Sequence, residues 1–545
     1  MNRTGASGLD RRDAALAGLC AALALWSYRW ALGSYFSPDD LIMLERARGL
    51  VPWPDTMWRI LSGRLYFETA TALFGTNALA FLRVNWLLHG LNTALLFAFV
   101  RRVGGSRLAA TIAAALFASS RLFLSAVGQA VGIGDLLGFG FVLVAAFPLT
   151  GMHRAAGWIA ALPFALAVLA KESVMVLPLA FLFLRAAGRD FRTRLVRVAP
   201  LIGVSAAWLA YLVLTNASAT VYGGPAYERG FGMQVVRSLG LYARWVADYR
   251  TPAPDFPRPA TDGAMMAEVL GLLIVAFLAW LARRGAPLVL FGIAWFVLGL
   301  ATVLPLVHQH NLYYLYVPFG GVAIVVGATF GAIQNSVRKR AAPGRADLVW
   351  WSAAILVLAH VVVSDVLMRK RVRDELWEEN VPYDPFVRKI ELIRRMDHRV
   401  AGLAASPGTR LVVVVPRIDD RLAELFRGLL PGVVDQGRGL RALHPNVDSV
   451  AFVDRWTPAY RDFQLVAGSV DGLIQGFGTG PESHLRFAGV LVANGFIDEA
   501  RQHLGDASAG YPDDPRLQRA LAMLTSSTAQ PMPQSSSRPS SPPIR

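Results

Sequence analysis

The sequence predicts a mainly α fold: a polytopic helical membrane protein of about eleven transmembrane helices, followed by a soluble α/β region and a short helix pair. Three observations predict it. Of the 545 residues, 54% are apolar and only 17% are charged. Apolar runs of span length recur from about residue 14 to about residue 368, and beyond that point the composition turns polar. A mean hydropathy of +0.41 is too apolar for a water-soluble chain of this size. A single cysteine, Cys20, excludes an internal disulfide framework, and glycine and proline follow no fibrous period.

The runs lie near 14–33, 80–100, 108–126, 132–150, 155–170, 173–187, 198–215, 264–282, 286–306, 314–334 and 348–368. Most are long enough to cross a hydrocarbon core of about 30 Å at about 1.5 Å per helical residue, and 155–170 and 173–187 are short. Only Lys171-Glu172 separates the fifth and sixth runs. One continuous helix there would strand an ion pair at mid-bilayer, so a tight hairpin with the pair at one face is predicted. The first run lacks a clear small-residue cleavage site and reads as an uncleaved signal anchor.

The formal charge is +16, and the excess belongs to the first 368 residues, the rest being near balance. Basic residues between spans set orientation. With the N-terminus cytoplasmic, the inside segments hold Arg11-Arg12, Arg101-Arg102-Arg107, Arg154, the group Arg185/Arg189/Arg192/Arg194/Arg197, Arg283-Arg284 and Arg338-Lys339-Arg340. The C-terminal region is then extracytoplasmic, although Arg369-Lys370-Arg371-Val372-Arg373 runs against the rule. The charge is thus a membrane signature, and no aromatic RNA-binding pattern accompanies it, so nucleic acid is not a predicted partner.

The predicted domains are a transmembrane domain over 1–368 with large outside loops at 34–79 and 216–263, a soluble extracytoplasmic α/β region over 369–480, a helix pair over 481–525 and a disordered Ser/Pro/Gln-rich tail over 526–545. Within the soluble part, Leu411-Val412-Val413-Val414-Val415 reads as a buried strand between helical patterns at 386–404 and 418–430. Leu491, Gly495, Glu499-Ala500 and Pro512-Asp513-Asp514-Pro515 have the spacing of one tetratricopeptide helix pair. A single repeat must pack on a neighbouring domain or a protein partner.

Candidate chemistry begins directly after the first run, where Tyr35-Phe36-Ser37-Pro38-Asp39-Asp40 sets two carboxylates side by side. One can serve as a general base while its neighbour orients it or binds a metal. The same residues also read as a helix start, with Ser37 as N-cap and Pro38 in the first turn. Arg83, Asn85, His89, Arg121, Asp135 and the Lys171-Glu172 pair are polar groups at membrane depth or its edge. They serve either as functional groups or as structural pairs, with His89 favoured as a packing residue. His308 and His310, two apart, do not share a helix face, and the tyrosines from Tyr313 to Tyr316 line a lipid or sugar site or form an interfacial belt. Walker loops, GxGxxG after a strand, HExxH, GxSxG and CxxC sets are missing from supporting contexts. An enzyme built this way needs a substrate that arrives activated, and a lipid-linked phosphosugar is one such class.

Taken in order, four segments and one step resemble the GT-C glycosyltransferases, and within them the bacterial relatives of the transmembrane-and-tetratricopeptide O-mannosyltransferases. They are Ser37-Pro38-Asp39-Asp40; Arg64-Leu65-Tyr66 through Phe74-Gly75-Thr76-Asn77 into Leu82-Arg83-Val84-Asn85-Trp86-Leu87-Leu88-His89-Gly90-Leu91-Asn92; Gly134-Asp135-Leu136-Leu137; Ala170-Lys171-Glu172-Ser173 before Leu177-Pro178; and Tyr314-Leu315-Tyr316-Val317-Pro318. The resemblance implies a GT-C-like membrane domain in a bacterial inner membrane and a sugar donor on polyprenyl phosphate. It also implies inverting transfer to an extracytoplasmic hydroxyl of a glycan, lipid or protein, with Asp39 or Asp40 as the catalytic base. Substrate-binding candidates under it are Arg64, Lys171, Glu172, Asp135, His308, His310, Tyr313 and Tyr316. No cofactor is firmly implied, and a divalent metal is left open. The chain departs from many relatives at Ser119-Ser120-Arg121, at Ile133-Gly134 and at Leu312-Tyr313, so the sugar itself is not assigned. Two other classes compete: a transporter or flippase of lipid-linked sugars, disfavoured because the halves show no repeat, and a non-catalytic membrane scaffold.

Overall fold

The computed structural model describes residues 10–151, 153, 155–215, 227–250, 287–340, 345–374, 382, 384–404, 406–415, 430–468 and 474–527. The span predicted at 264–282, the helical pattern over most of 418–430 and most of the tail lie outside these residues. The chain divides into two compact units, 1–391 and 392–545.

In the first unit each of the other ten apolar runs falls on helical structure. Among the described residues five helices are long and apolar enough to cross a membrane: Arg11–Gly33, Ala130–Leu149, Phe191–Leu214, Leu312–Lys339 and Asp347–Asp374. The pair Arg107–Ser119 and Arg121–Val127, bent by 42° at Ser120, makes a sixth if read as one span. This is a multi-pass membrane protein.

Local chemistry explains the element ends. The first helix starts at Asp10, whose carboxylate accepts from the Asp13 amide in a reciprocal capping box. Asp13 also binds Arg101 and Arg107, each at 3.0 Å, which ties the start of the first helix to the ends of the two that pack on it. Asn77 and Ser106 cap the helices Ala78–Arg102 and Arg107–Ser119. The predicted interruption at Lys171-Glu172 is present. Helix Ala156–Ala170 ends where Lys171 turns extended (φ −151°, ψ 107°), and the chain continues as a 3-10 turn, Glu172–Val176, and a short helix, Pro178–Phe181.

The core is aromatic and small-residue rich. Phe117, Phe123, Phe139, Phe291, Trp295 and Tyr316 interlock in edge and stacked pairs. Helices Pro287–Leu300 and Tyr316–Arg340 approach so closely that a methyl group at Gly292 would lie 2.6 Å from the Gly321 carbonyl oxygen. Cys20 is buried in this core. Several buried polar residues are matched within it: His89 sits between the Tyr316 hydroxyl and the Ala118 carbonyl, both at 3.1 Å. Asn92 donates to Leu136 O at 2.8 Å and to the same hydroxyl at 3.1 Å, while Asn85 donates to Gln129 O at 2.6 Å. Such pairing is what burial in a water-free interior demands.

The second unit is α/β. Four strands, β1 (Thr409–Val414), β2 (Val447–Val453), β3 (Gln464–Gly468) and β4 (Ile474–Gly478), form one sheet in the order β2-β1-β3-β4. β1 runs parallel to both neighbours, and β4 runs antiparallel to β3. As an inner parallel strand β1 is buried on both faces, which is why it reads as an unbroken run of valines. Helices Pro481–Ala493 and Ile497–Gly510 cover the sheet through Phe487, Leu491, Ala500 and Leu504, and a third helix, Pro515–Ser527, follows.

Candidate functional site

The acidic pair after the first span has split roles in the structure. Ser37 caps helix Pro38–Ala47, and its backbone amide donates to Asp40 Oδ2 at 2.7 Å, while the Asp40 amide donates to Ser37 Oγ at 3.3 Å. Asp40 is fully buried, and its carboxylate also accepts from the Val131 amide at 2.6 Å and the Ala130 amide at 3.1 Å. Burial pushes its carboxyl up to about 6, against the opposing pull of these hydrogen bonds. Asp39, one residue earlier and 100° around the helix, is exposed. It carries no hydrogen bond or ion pair among the described residues.

Asp39 faces a cavity of about 550 Å³. Its polar lining brings together Arg59, Lys171, Glu172, Ser173, Tyr227, Arg229, Thr302, Tyr313 and Tyr314, and the rest of its wall is apolar, including Ile42, Met43, Val131, Leu209, Leu212, Val213 and Phe231. The interruption described above supplies Lys171. Its Nζ lies 2.9 Å from Asp135 Oδ2 and 5.3 Å from the centre of the Tyr313 ring. Asp135 comes from the first turn of helix Ile133–Leu149, and Ser62 Oγ closes the break by donating to Ala170 O at 2.6 Å.

Arg59 donates to both carboxylate oxygens of Glu172 along one guanidinium edge, from Nε at 3.0 Å and from Nη2 at 2.9 Å. Arg59 has a left-handed backbone (φ 47°) and immediately precedes a π-helical turn, Ile60–Leu65. Both features are uncommon and tend to gather at functional sites. Two ion pairs therefore stand at the cavity edge, Arg59 with Glu172 and Lys171 with Asp135.

A second cavity of about 500 Å³ shares Asp39, Tyr227 and Tyr313 with the first. Its lining is mostly polar: Ser37, Ser125, Gln129, Gln309, His310, Asn311, Arg371, Asp384 and Lys389, with Pro38, Leu312, Pro385 and Phe386. Arg371 and Asp384 form a buried pair at 2.7 Å.

The structure thus gathers Asp39, Lys171, Glu172 and Tyr313 at one cavity, with Asp135 behind Lys171 and His310 at the second cavity. It does not bring Arg64 there: Arg64 is exposed and pairs with Glu68 one turn on. His308 is exposed against Glu228. Tyr316 is fully buried in the His89 and Asn92 network and lines neither cavity. Of the other polar residues singled out, Arg83 is exposed and Arg121 donates to the Asp248 carbonyl. Sequence reasoning passed over Arg59, Tyr227 and Arg229. The local cue to Arg59 is Glu172 itself, an acidic residue in an apolar run that calls for a cation nearby. Among the described residues no three His, Cys, Asp or Glu side chains are grouped to hold a metal ion.

No protein-family model and no curated protein matches the sequence. Among solved structures, the chain is similar to the crystal structure of ArnT from Cupriavidus metallidurans bound to undecaprenyl phosphate, at 13% identity and a TM-score of 0.44, covering 87% of this chain and 94% of that one.

Proposed function

We propose that the protein is a membrane glycosyltransferase that moves a sugar from a polyprenyl-phosphate donor to a hydroxyl acceptor on the extracytoplasmic side, with Asp39 as general base. The observation that carries this reading is an open carboxylate on the shared wall of two cavities, one of them apolar and edged by fixed cations. A lipid-linked donor needs that combination. Its isoprenoid chain would lie along Leu209, Leu212, Val213 and Phe231, and its phosphate would meet Arg59, Lys171 and Arg229. The ordered segments that resemble GT-C enzymes support the same reading.

In the proposed reaction Asp39 removes the proton of the acceptor hydroxyl as that oxygen attacks the anomeric carbon from the face opposite the phosphate. The bond from the anomeric carbon to the phosphate oxygen breaks, its electron pair leaves with the polyprenyl phosphate, and configuration inverts. Cations held in place before reaction stabilise the charge growing on the phosphate without having to reorganise. Asp40 is a positioning residue in this scheme, since it fixes the helix that carries Asp39.

Asp39→Asn removes the base, and a positioned base is worth about 10²- to 10⁴-fold in rate. The expected result is loss of transfer of that order in membranes, with the protein still inserted and folded. Lipid extracts of a strain carrying only Asp39→Asn should accumulate a polyprenyl-phosphate sugar together with a glycan, lipid or protein lacking one residue of sugar. Wild-type transfer by Asp39→Asn would overturn the reading.

A further inference from the structure

We infer that the second cavity is a saccharide subsite, so that the hydroxyl presented to Asp39 belongs to a glycan. The inference rests on the reading of Asp39 given above and adds the chemical class of the acceptor. The two cavities share one wall, made by Asp39, Tyr227 and Tyr313, and they differ in what lies beyond it. Beyond it on one side are the charged edge of Arg59, Lys171, Glu172 and Arg229 and a long wall of aliphatic side chains. On the other are amides and ions: Gln129, Gln309, Asn311 and the buried Arg371 with Asp384.

Planar amide, carboxylate and guanidinium groups offer paired donors and acceptors at fixed angles, which match the neighbouring hydroxyls of a sugar ring. Aromatic side chains complete such a site, because the C–H face of a pyranose is apolar, and Tyr313 and Phe386 are in the lining here. Ser125 Oγ, in a residue only 6% exposed, has no hydrogen-bond partner and belongs to the same lining. At about 500 Å³ the space falls within the range of about 300–1,000 Å³ usual for small-ligand pockets. It accommodates the end of a glycan. A lipid acceptor would leave its acyl chains against amides, and a serine peptide would leave most of the ring-matching groups unused.

The test is saturation-transfer-difference NMR on the full chain in nanodiscs, with maltose, mannobiose and chitobiose as probes and acetyl-serine amide as competitor. At least one disaccharide should give a signal that falls several-fold in Gln129→Ala and in Asn311→Ala. The signal should persist in Arg83→Ala, an exposed position that lines neither cavity. Absence of signal from all three disaccharides, signals indifferent to Gln129→Ala and Asn311→Ala, or displacement by acetyl-serine amide would each overturn the inference. These outcomes separate from those of the catalytic proposal. If Asp39→Asn abolishes transfer while no disaccharide binds, only the saccharide subsite fails; if disaccharides bind and Asp39→Asn transfers normally, the base assignment fails.

Discussion

Adjacent carboxylates at positions 39 and 40 do different work because a helix turns about 100° per residue. Asp40 points inward and satisfies three backbone amides, those of Ser37, Ala130 and Val131. Asp39 points away from them into open space. An amide at position 40 keeps one acceptor oxygen and sets an N–H group against backbone donors. Leaving a buried donor unsatisfied costs about 1–3 kcal/mol, so Asp40→Asn should lower the thermal unfolding temperature of the purified protein, whereas Asp39→Asn should leave it near the wild type. Differential scanning fluorimetry on the two variants checks this, and equal shifts would contradict the division of roles. The pair was legible in the sequence; its division was not, because Ser-Pro-Asp-Asp fits a cap and a catalytic carboxylate equally well. Arg64 and Arg59 show the same limit. Both are loop-proximal arginines, and only a left-handed residue ahead of a π-helical turn decides which of them reaches Glu172.

At the scale of elements, hydropathy carried most of the information, since water exclusion dictates both the length and the apolarity of a span. The interruption at Lys171-Glu172 was equally readable, because an ionisable pair in an apolar run must find partners, and it finds Asp135 and Arg59. Tyr316 was not readable: a tyrosine at a span boundary has the same sequence signature whether it faces a cavity or, as here, the His89 network. Packing distances between helices are likewise invisible in one dimension. At the crossing of Pro287–Leu300 with Tyr316–Arg340, a side chain at position 292 would collide with the Gly321 carbonyl, and backbone cannot yield cheaply. Gly292→Val should therefore separate the two helices and lower stability by about 1–3 kcal/mol, the range for overpacked cores. Detergent-resistant folded yield and unfolding temperature are the measures, and wild-type values for both would show that the crossing relaxes freely.

The whole molecule joins a lipid-adapted unit to one with an ordinary aqueous core, and the second has its own acid sensitivity. His484 and His503 are buried and lie 3.0 Å apart, ring nitrogen to ring nitrogen, beside Trp456. Burial holds His484 down to about 4, and burial together with His484 holds His503 down to about 3. Unfolded histidines take up protons near 6.5. The folded pair stays neutral there, so the unfolded state binds protons first as the pH falls. Stability of this unit is then complete above about pH 6.5 and declines as the pH falls toward about 4, by at most about 1.4 kcal/mol per pH unit for each proton taken up. Hydrogen exchange of peptides from 481–510 in the full chain, followed from pH 7.5 to pH 5 and corrected for intrinsic rates, should show falling protection. His503→Gln should flatten that slope, and an unchanged slope in the variant would assign the acid response elsewhere.

The lone thiol, Cys20, is sealed within the helical core. A bulky, membrane-impermeant maleimide added to intact cells therefore finds no native target, and the natural chain serves as its own blank. Any fluorescence gained after placing a cysteine at Phe231, in the first cavity, or Lys389, in the second, reports that one engineered position. Sidedness of the two chambers flanking Asp39 becomes a yes-or-no reading in living cells, obtained without purification, substrate or a rebuilt background.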